Sequence, residues 1–333
     1  MSGPRALVAP DSFKGTFSAP EVADAVARGL ERGAIAADRC PVADGGEGTM
    51  DVMLAALGGR TVRVWTRDPL DRPIAARFAL LDDGARALVE TAAASGLALL
   101  AEHERDPWAA STWGTGRLIR AAVEAGAREV LVAVGGSATV DGGRGALAAL
   151  AEGGGLDGAR LTVLCDVGTP WERCAEIYGP QKGADAAMVA RLDARLERFA
   201  GELARDPRGV AMTGAAGGLA GGLWGALGAR LVGGAEHILD AIGFDRRLRD
   251  AAAVVVGEGR IDAQSVMGKI VGAIAGRARA AGVPVHAIVG ADALDPAAGR
   301  AIGLCSITEA TTLPELEIAG ERLATVLTAG AAG

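Results

Sequence analysis

The feature that most constrains the fold is a repeated alternation of short apolar segments with amphipathic ones. Buried strands are predicted where Val, Leu, Ile and Ala form short runs, at 5–9, 129–134, 160–166, 253–256, 283–289 and 302–307. Helices are predicted where apolar residues recur at helical spacing, at 18–33, 49–59, 114–127, 186–203 and 269–282. Short apolar strands that alternate with helices indicate an α/β protein with mostly parallel sheets.

Two local patterns add detail to this prediction. Ser18 is placed to cap the first helix, Pro20 falls in its first turn, and Gly33 marks its end. Three further strands are predicted at 61–66, 74–80 and 86–90, and the turn LDDGAR joins the last two. A hairpin at this point predicts that one of the sheets is mixed.

Composition excludes several classes of protein. The formal net charge is −7 and no basic run occurs, which argues against a nucleic-acid partner, because phosphate neutralisation needs clustered Lys and Arg. No segment offers the roughly 18 apolar residues of a membrane span, and the first residues lack a signal peptide's apolar region. The cysteines fit neither CxxC nor zinc-ribbon spacing. We therefore expect free thiols in a cytoplasmic protein without a membrane partner.

Five loops share glycines with charged or hydroxyl residues, each at a strand end or a helix start. They are APDSFKGT (9–16), ADGGEGT (43–49), GGSATVDGG (135–143), GPQKGA (179–184) and GEGRIDAQSVMGK (257–269). Glycine-rich loops expose backbone N–H groups and, with a following helix, form anion sites. The carboxyl ends of strands are also where open α/β sheets bind their ligands. The loops therefore predict a ligand site.

The charged residues of these loops indicate phosphoryl transfer. The loops hold Lys14, Lys182 and Lys269, the three lysines of an Arg-rich chain. They also hold five carboxylates that could supply Mg²⁺ ligands or a base: Asp44, Glu47, Asp141, Glu258 and Asp262. Each residue also has a structural explanation: Asp44 and Asp141 could cap helices and Lys182 could be solvated. Walker A, dinucleotide-binding, nucleophile-elbow and protein-kinase motifs are all incomplete.

In their order, these segments resemble the bacterial class I glycerate kinases. The similarity covers most of the chain and is carried by APDSFKGTFSA, PVADGGEGT, DPLDRP, ETAAASGL, STWGTGRLI, GGSATVDGG, CDV, YGPQKGA, GAAGG and VVGEGRIDAQSVMGK. The resemblance implies transfer of the ATP γ-phosphate to D-glycerate with Mg²⁺, and 2-phosphoglycerate as the product.

The same resemblance implies an architecture. Family members are similar in having two α/β domains, one of them discontinuous, with the active site in the interdomain cleft. We expect a Rossmann-like domain at 1–66 and 240–333 and an inserted flavodoxin-like or mixed α/β domain at 67–239. A homodimer is left open, because the sequence does not determine the oligomeric state.

Residue roles follow from the matched loops. Lys14 and Lys269 would neutralise phosphate or the acceptor carboxylate, and Asp44 would accept the hydroxyl proton. Asp141 and Glu258 would hold Mg²⁺, although the sequence alone leaves the three acidic roles interchangeable. The remaining predicted substrate- or phosphate-binding residues are Ser12, Gly45, Gly46, Glu47, Gly135, Gly136, Ser137, Thr139, Lys182, Gly257, Gly259 and Asp262.

Departures from the family keep two alternatives open. The family usually has Asn where this chain has Val140, and the segment between Gly145 and Cys165 is shorter than expected. An apolar side chain in a loop that touches the acceptor would favour a kinase for another small sugar acid. The second alternative is a nucleotide-binding regulator that has lost turnover. The residues that argue against it are the retained Lys14, Asp44, Asp141 and Lys269.

Overall fold

The computed structural model describes residues 5–165, 167–262 and 269–330. Its strands are β1 (Arg5–Pro10), β2 (Ala36–Arg39), β3 (Arg60–Arg67), β4 (Pro73–Leu81), β5 (Arg86–Glu90), β6 (Glu129–Ala133), β7 (Arg160–Cys165), β8 (Arg230–Gly233), β9 (Ala253–Gly257), β10 (Val285–Val289) and β11 (Leu304–Glu309). Its α-helices are α1 (Ala19–Arg32), α2 (Thr49–Leu57), α3 (Ala92–Ser95), α4 (Trp113–Glu124), α5 (Arg144–Glu152), α6 (Cys174–Tyr178), α7 (Ala186–Ala200), α8 (Leu219–Leu227), α9 (Gly234–Ala241), α10 (Phe244–Leu248), α11 (Ile270–Ala281), α12 (Pro296–Ile302) and α13 (Leu313–Gly330). The chain divides into two compact units, Met1–Asp44 with Ala235–Gly333, and Gly45–Gly234.

The discontinuous unit contains a five-stranded sheet in the order β11-β10-β9-β1-β2, and all of its strand pairs are parallel. The chain leaves β1 through α1 toward β2 on one side, and leaves β9 through α11 toward β10 on the other. Strand order therefore reverses between β1 and β9. A crevice opens at such a reversal because the two connecting helices diverge onto opposite faces of the sheet.

Helix α1 covers one face of this sheet together with α13. Val22 and Leu30 of α1 pack with Leu316 and Leu323 of α13 in a core cluster that includes the sheet residue Val8. The helix begins as its sequence predicts, because the Ser18 side chain accepts a hydrogen bond from Glu21 N–H and the Glu21 carboxylate accepts one from Ser18 N–H. It ends at Gly33.

The second unit contains a six-stranded sheet in the order β3-β4-β5-β6-β7-β8. β3, β4 and β5 pair antiparallel, and β5 to β8 pair parallel. Helices α4, α5 and α8 pack on one face, around Leu118, Leu150 and Leu223, which are almost completely buried. The hairpin between β4 and β5 produces the mixed sheet that the sequence predicts.

The predicted α/β class with mostly parallel sheets is thus confirmed. Each strand predicted from the sequence lies within a few residues of an observed one. Short apolar runs are typical of strands that are buried in a sheet. In the part of the chain that the structure describes, no helix combines the length and apolarity needed to cross a membrane.

Candidate active site

A pocket of about 440 Å³ lies in the discontinuous unit, at the carboxyl ends of its strands. It is lined by Asp11, Ser12, Phe13, Lys14, Thr16, Asp44, Glu258, Gly259, Arg260, Lys269, Ile270, Gly290, Ala291 and Thr311. Six of the sequence-predicted site residues therefore share one pocket: Ser12, Lys14, Asp44, Glu258, Gly259 and Lys269.

The reversal of strand order accounts for the position of the pocket. Pro10, the last residue of β1, is in register with Gly257, the last residue of β9. Asp11 and Glu258 follow these two residues, and Asp11 N–H donates to the carbonyl of Gly257 at 2.8 Å. The two carboxylic side chains are therefore carried by neighbouring strands at the crevice.

Asp44 reaches the same place by an extension of β2. Beyond the strand, Cys40 N–H donates to Val8 O at 2.7 Å and Val42 N–H donates to Pro10 O at 3.0 Å. These bonds keep the chain alongside β1 until it reaches Asp44, which is 4% exposed. Three acidic residues thus follow three adjacent strands and line one pocket.

The charges in the pocket perturb one carboxyl strongly. Burial, and then the nearby charge of Asp44, raise the pKa of Asp11 to about 8, although Ser12 N–H and the Lys14 ammonium favour its ionised form. The Ser12 N–H donates to Asp11 Oδ1 at 2.6 Å. Lys14 Nζ lies 3.9 Å from Asp44 Oδ2, with the lysine side chain 63% exposed. The pocket therefore holds an Asp11 carboxyl that keeps its proton at neutral pH, next to an ion pair whose cation is exposed to solvent.

The glycines of this pocket allow its loops to pack closely. A Cβ atom on Gly290 would lie 2.5 Å from Gly259 O, and one on Gly257 would lie 2.7 Å from Ile288 O. Close approach of the protein's own backbone, between loops at Gly290 and between strands at Gly257, is thus sufficient to require glycine at these positions. Whether Gly257 and Gly259 also contact a ligand stays a prediction.

The glycine-rich loop at 135–143 contacts Gly45 and Gly46 within the second unit. Gly135 N–H donates to Gly45 O at 3.3 Å, and a Cβ on Gly135 would lie 2.5 Å from Gly46 Cα. Gly136 has φ +74°, a left-handed conformation that favours glycine. Gly135 and Gly136 thus have structural explanations that do not require a ligand.

Helix α2 begins at this junction without a side-chain cap of its own, because its N-cap residue is Gly48. Glu90, at the end of β5, supplies the cap instead, since Glu90 Oε1 accepts a hydrogen bond from Met50 N–H at 2.8 Å. Burial is the main reason that the pKa of Glu90 is raised to about 7, with smaller contributions from Asp51 and Glu47. Glu47 itself is exposed.

Lys182 is a buried residue, so the alternative that it is merely solvated is wrong. It is 2% exposed, and its Nζ donates to Ser137 Oγ at 2.9 Å and to Thr139 O at 2.7 Å. Thr139 is fully buried, and Ser137 is 8% exposed. The lysine therefore supports the 135–145 loop from inside the protein.

Asp141 joins the start of α4 to the start of α5. Its Oδ2 accepts from Thr112 N–H at 2.9 Å, from Thr112 Oγ1 at 2.8 Å and from Gly145 N–H at 3.1 Å. Its Oδ1 accepts from Gly143 N–H at 2.9 Å. Four donors occupy a carboxylate that has about four lone-pair sites. This geometry favours a positioning role, although the predicted metal role itself stays untested.

The side chain of Val140 faces the core of the protein. It is fully buried in an apolar cluster with Trp171, Leu192, Leu196 and Phe199. The expectation that an apolar side chain at this position would touch the acceptor is therefore corrected, because tertiary packing turns Val140 into the core.

Two charged residues that line the pocket, Asp11 and Arg260, were not among the site residues predicted from the sequence. Both occur in loops that the sequence marked as ligand-binding, and the position of Asp11 directly after a strand could have identified it. Asp262 is half-buried and is not among the lining residues. The segment 263–268 of the last glycine-rich loop, and Asp166, lie outside the described residues.

Comparisons with known proteins agree on one family. The model of the glycerate kinase family matches residues 6–154 and 154–331. A glycerate kinase of Bacillus subtilis (strain 168) is 39% identical over 87% of this chain and 85% of its own length. A glycerate 2-kinase of Escherichia coli (strain K12) is 37% identical over 85% and 84%, respectively. A crystal structure described as putative glycerate kinase 2 from Salmonella typhimurium LT2 superposes with a TM-score of 0.83 at 34% identity, covering 99% of this chain and 100% of that one.

Proposed function

This chain belongs to the glycerate kinase family and is a kinase, and from that premise we propose that it transfers the γ-phosphate of ATP to the 2-hydroxyl of D-glycerate. The observation that carries this proposal is the pocket in which Asp11, Asp44, Glu258, Lys14 and Lys269 meet. Phosphoryl transfer requires positioning and charge stabilisation, and a pocket lined by both carboxyl groups and ammonium groups suits both.

Asp44 is the proposed base. A base must carry a negative charge next to the acceptor hydroxyl, and the Asp11 carboxyl keeps its own proton at neutral pH because its pKa is about 8. Asp44 is buried in the same pocket, with its Oδ2 3.9 Å from Lys14 Nζ, and is the carboxylate proposed to take the hydroxyl proton. The neutral Asp11 side chain can donate a hydrogen bond to the acceptor or to Asp44.

The cationic side chains of the pocket have a separate proposed role. Lys14 and Lys269 are proposed to bind the anionic groups of the two substrates, and Arg260 lies on the same wall. A guanidinium binds a carboxylate through two parallel hydrogen bonds, whereas a lysine acts as a point charge. Arg260 is therefore proposed to orient the glycerate carboxylate, which decides which hydroxyl faces the phosphate.

The donors of the pocket fit Mg²⁺ bound together with a nucleotide. Among the described residues, no group of three or more His, Cys, Asp or Glu is arranged to hold a metal by itself. Mg²⁺ commonly uses only one or two carboxylates, with phosphate oxygens and water completing its shell. Glu258 is the proposed protein ligand, and the ion would supply neutralisation of phosphate charge. Asp141, whose oxygens are already hydrogen-bonded, is proposed to position the 135–145 loop.

The test is a steady-state assay of the purified chain with ATP, Mg²⁺ and D-glycerate. We expect ADP release that depends on D-glycerate. Release that occurs only with a longer aldonate would contradict the proposed acceptor, and no acceptor-dependent release at all would contradict turnover.

The position of transfer is tested separately by coupling the reaction to enolase without phosphoglycerate mutase. A direct enolase response is expected, because only 2-phosphoglycerate is an enolase substrate. The name glycerate 2-kinase of the Escherichia coli relative supports this choice. A response that appears only after mutase is added would assign transfer to the 3-hydroxyl.

A further inference from the structure

Strand β3 is an edge of the six-stranded sheet and is unusually exposed. It pairs with β4 on one side, and its other side lies at the end of the strand order. Trp65, in its second half, is 76% exposed. Along the strand, Thr61, Arg63, Trp65 and Arg67 are exposed or half-buried and alternate with residues that face the core side. An eight-residue edge strand is a template for pairing with another strand.

Trp65 differs from the other tryptophans of the chain. Arginine side chains stack over Trp108, Trp113 and Trp224 at 4.1 to 4.5 Å from the ring centres. Trp171 is buried against Phe199. Within the described part of the chain, Trp65 has no stacked arginine. Two residues away, Arg63 is exposed and makes no ion pair with any described residue.

We propose that β3 pairs antiparallel with β3 of a second copy of this chain, about a twofold axis at Val64. In this register each Arg63 lies directly opposite Trp65 of the other copy, on the exposed face of a continuous sheet. Arg63, which forms no ion pair with a described residue, and Trp65, over which no described arginine stacks, would thereby form two symmetric cation–π contacts.

Avoidance of directly opposed arginines favours this register over those with the axis at Arg63 or at Trp65. A twofold axis perpendicular to the sheet places the exposed faces of both copies on the same side of the joined sheet. Only registers in which directly opposite residues belong to the same face keep exposed residues next to exposed ones. An axis at Arg63 would place that arginine opposite its own copy. An axis at Trp65 would place Arg63 opposite Arg67. Like charges directly opposite destabilise a sheet, and the Val64 register avoids both of these pairings.

The other face supports the same register. Val64 would meet its own copy, and Val62 would meet Thr66, on the side where Val62 and Val64 pack against the core of their own unit. The basic side chains of β3 would at the same time oppose indiscriminate edge pairing. Because a strand-to-strand contact is small compared with the roughly 1,600 Å² of a standard interface, we expect a reversible dimer.

Sedimentation velocity over a wide range of protein concentration tests the proposal. We expect a monomer at low concentration that converts to a species of twice the mass. Trp65→Ser and Arg63→Glu should each weaken the dimer by about tenfold or more, since each removes two symmetric contacts. The matched control is Val326→Ser, which changes a 60% exposed apolar residue of α13 and should leave dimerisation unchanged. A monomer at every concentration, or a dimer insensitive to Trp65→Ser, would overturn the proposal.

Disulfide trapping tests the register. Residues opposite each other in an antiparallel pair have Cα atoms about 4.5 to 5.5 Å apart, which a disulfide can bridge. In a Cys305→Ser background, which removes the exposed native thiol, Val64→Cys should give a cross-linked dimer under mild oxidation. Val62→Cys should not, because its own copy would lie four residues away along the strand, about 13 Å. Equal cross-linking of the two variants would overturn the Val64 register.

Discussion

Asp11 and Asp44 lie in the same pocket of the discontinuous unit, and burial together with the charge of Asp44 raises the pKa of Asp11 to about 8. When the environments of two neighbouring carboxyl groups push their pKa values apart, one group can act as an acid and the other as a base. Asp11 keeps its proton at neutral pH, and Asp44 is the proposed base. Substitution of each member should therefore have a different effect.

Asp44→Asn should lower kcat by about 10²- to 10⁴-fold while the protein stays folded, because the variant removes a positioned base and preserves the size of the side chain. Steady-state kinetics with D-glycerate measure the loss, and circular dichroism checks the fold. Asp250→Asn is the matched control, since Asp250 is exposed in the same unit and does not line the pocket. A variant at Asp44 that keeps the wild-type kcat would exclude Asp44 as the base.

Asp11 should make the protein less stable as pH rises from about 4 to about 8. In the unfolded chain this carboxyl ionises near its ordinary value of 3.8, whereas the folded protein holds the proton up to about 8. Unfolding therefore releases a proton in this window, and stability falls by up to about 1.4 kcal/mol per pH unit. Asp11→Asn should remove this contribution.

Urea unfolding of wild type and Asp11→Asn at several pH values measures the difference between the two curves. We expect the variant to gain stability relative to wild type as pH increases through this window. Parallel curves would contradict the raised pKa of Asp11. Because the comparison uses stability, its outcome is independent of the catalytic assay.

Glu90 should stabilise α2 from outside the helix. Glu90→Ala removes the acceptor for Met50 N–H, and we expect a loss of about 0.5–2 kcal/mol of unfolding free energy, the range measured for lost helix caps. Glu90→Gln retains an amide oxygen at the same distance along the side chain and should lose less. Chemical denaturation ranks the three proteins, and equal losses in the two variants would show that the hydrogen bond contributes little.

Asp141→Asn should act mainly on stability. The amide group would turn an N–H₂ toward donors that now face a carboxylate oxygen, and leaving a buried donor unsatisfied costs about 1–3 kcal/mol. Denaturation midpoints measure this cost, and kcat is then determined for the folded fraction. A stable variant whose kcat falls as far as that of Asp44→Asn would instead support the metal role expected from the sequence.

Local patterns were enough to predict most of the secondary structure, because the forces involved act between residues close in sequence. Ser18 and Gly33 delimit α1 through hydrogen bonds within a few residues of each helix end. The turn between β4 and β5 likewise lies between strands that are adjacent along the chain. The order of ten weak motifs along the sequence was enough to indicate the family, whose model matches residues 6–154 and 154–331.

The roles of individual site residues could not be predicted in the same way, because they depend on burial by segments far apart in sequence. Val140 was expected at a ligand, but residues 171–199 fold over it and make it part of a core cluster. From the sequence, Lys182 could be a solvated lysine, yet its side chain lies beneath a loop 43 residues earlier in the chain. Asp11 looks like any aspartate after a strand, but burial in the folded pocket, together with the nearby charges of Asp44 and Glu258, raises its pKa to about 8. Sequence specifies which groups are available, whereas desolvation and charge at each group are set by the neighbours that the tertiary fold brings to it.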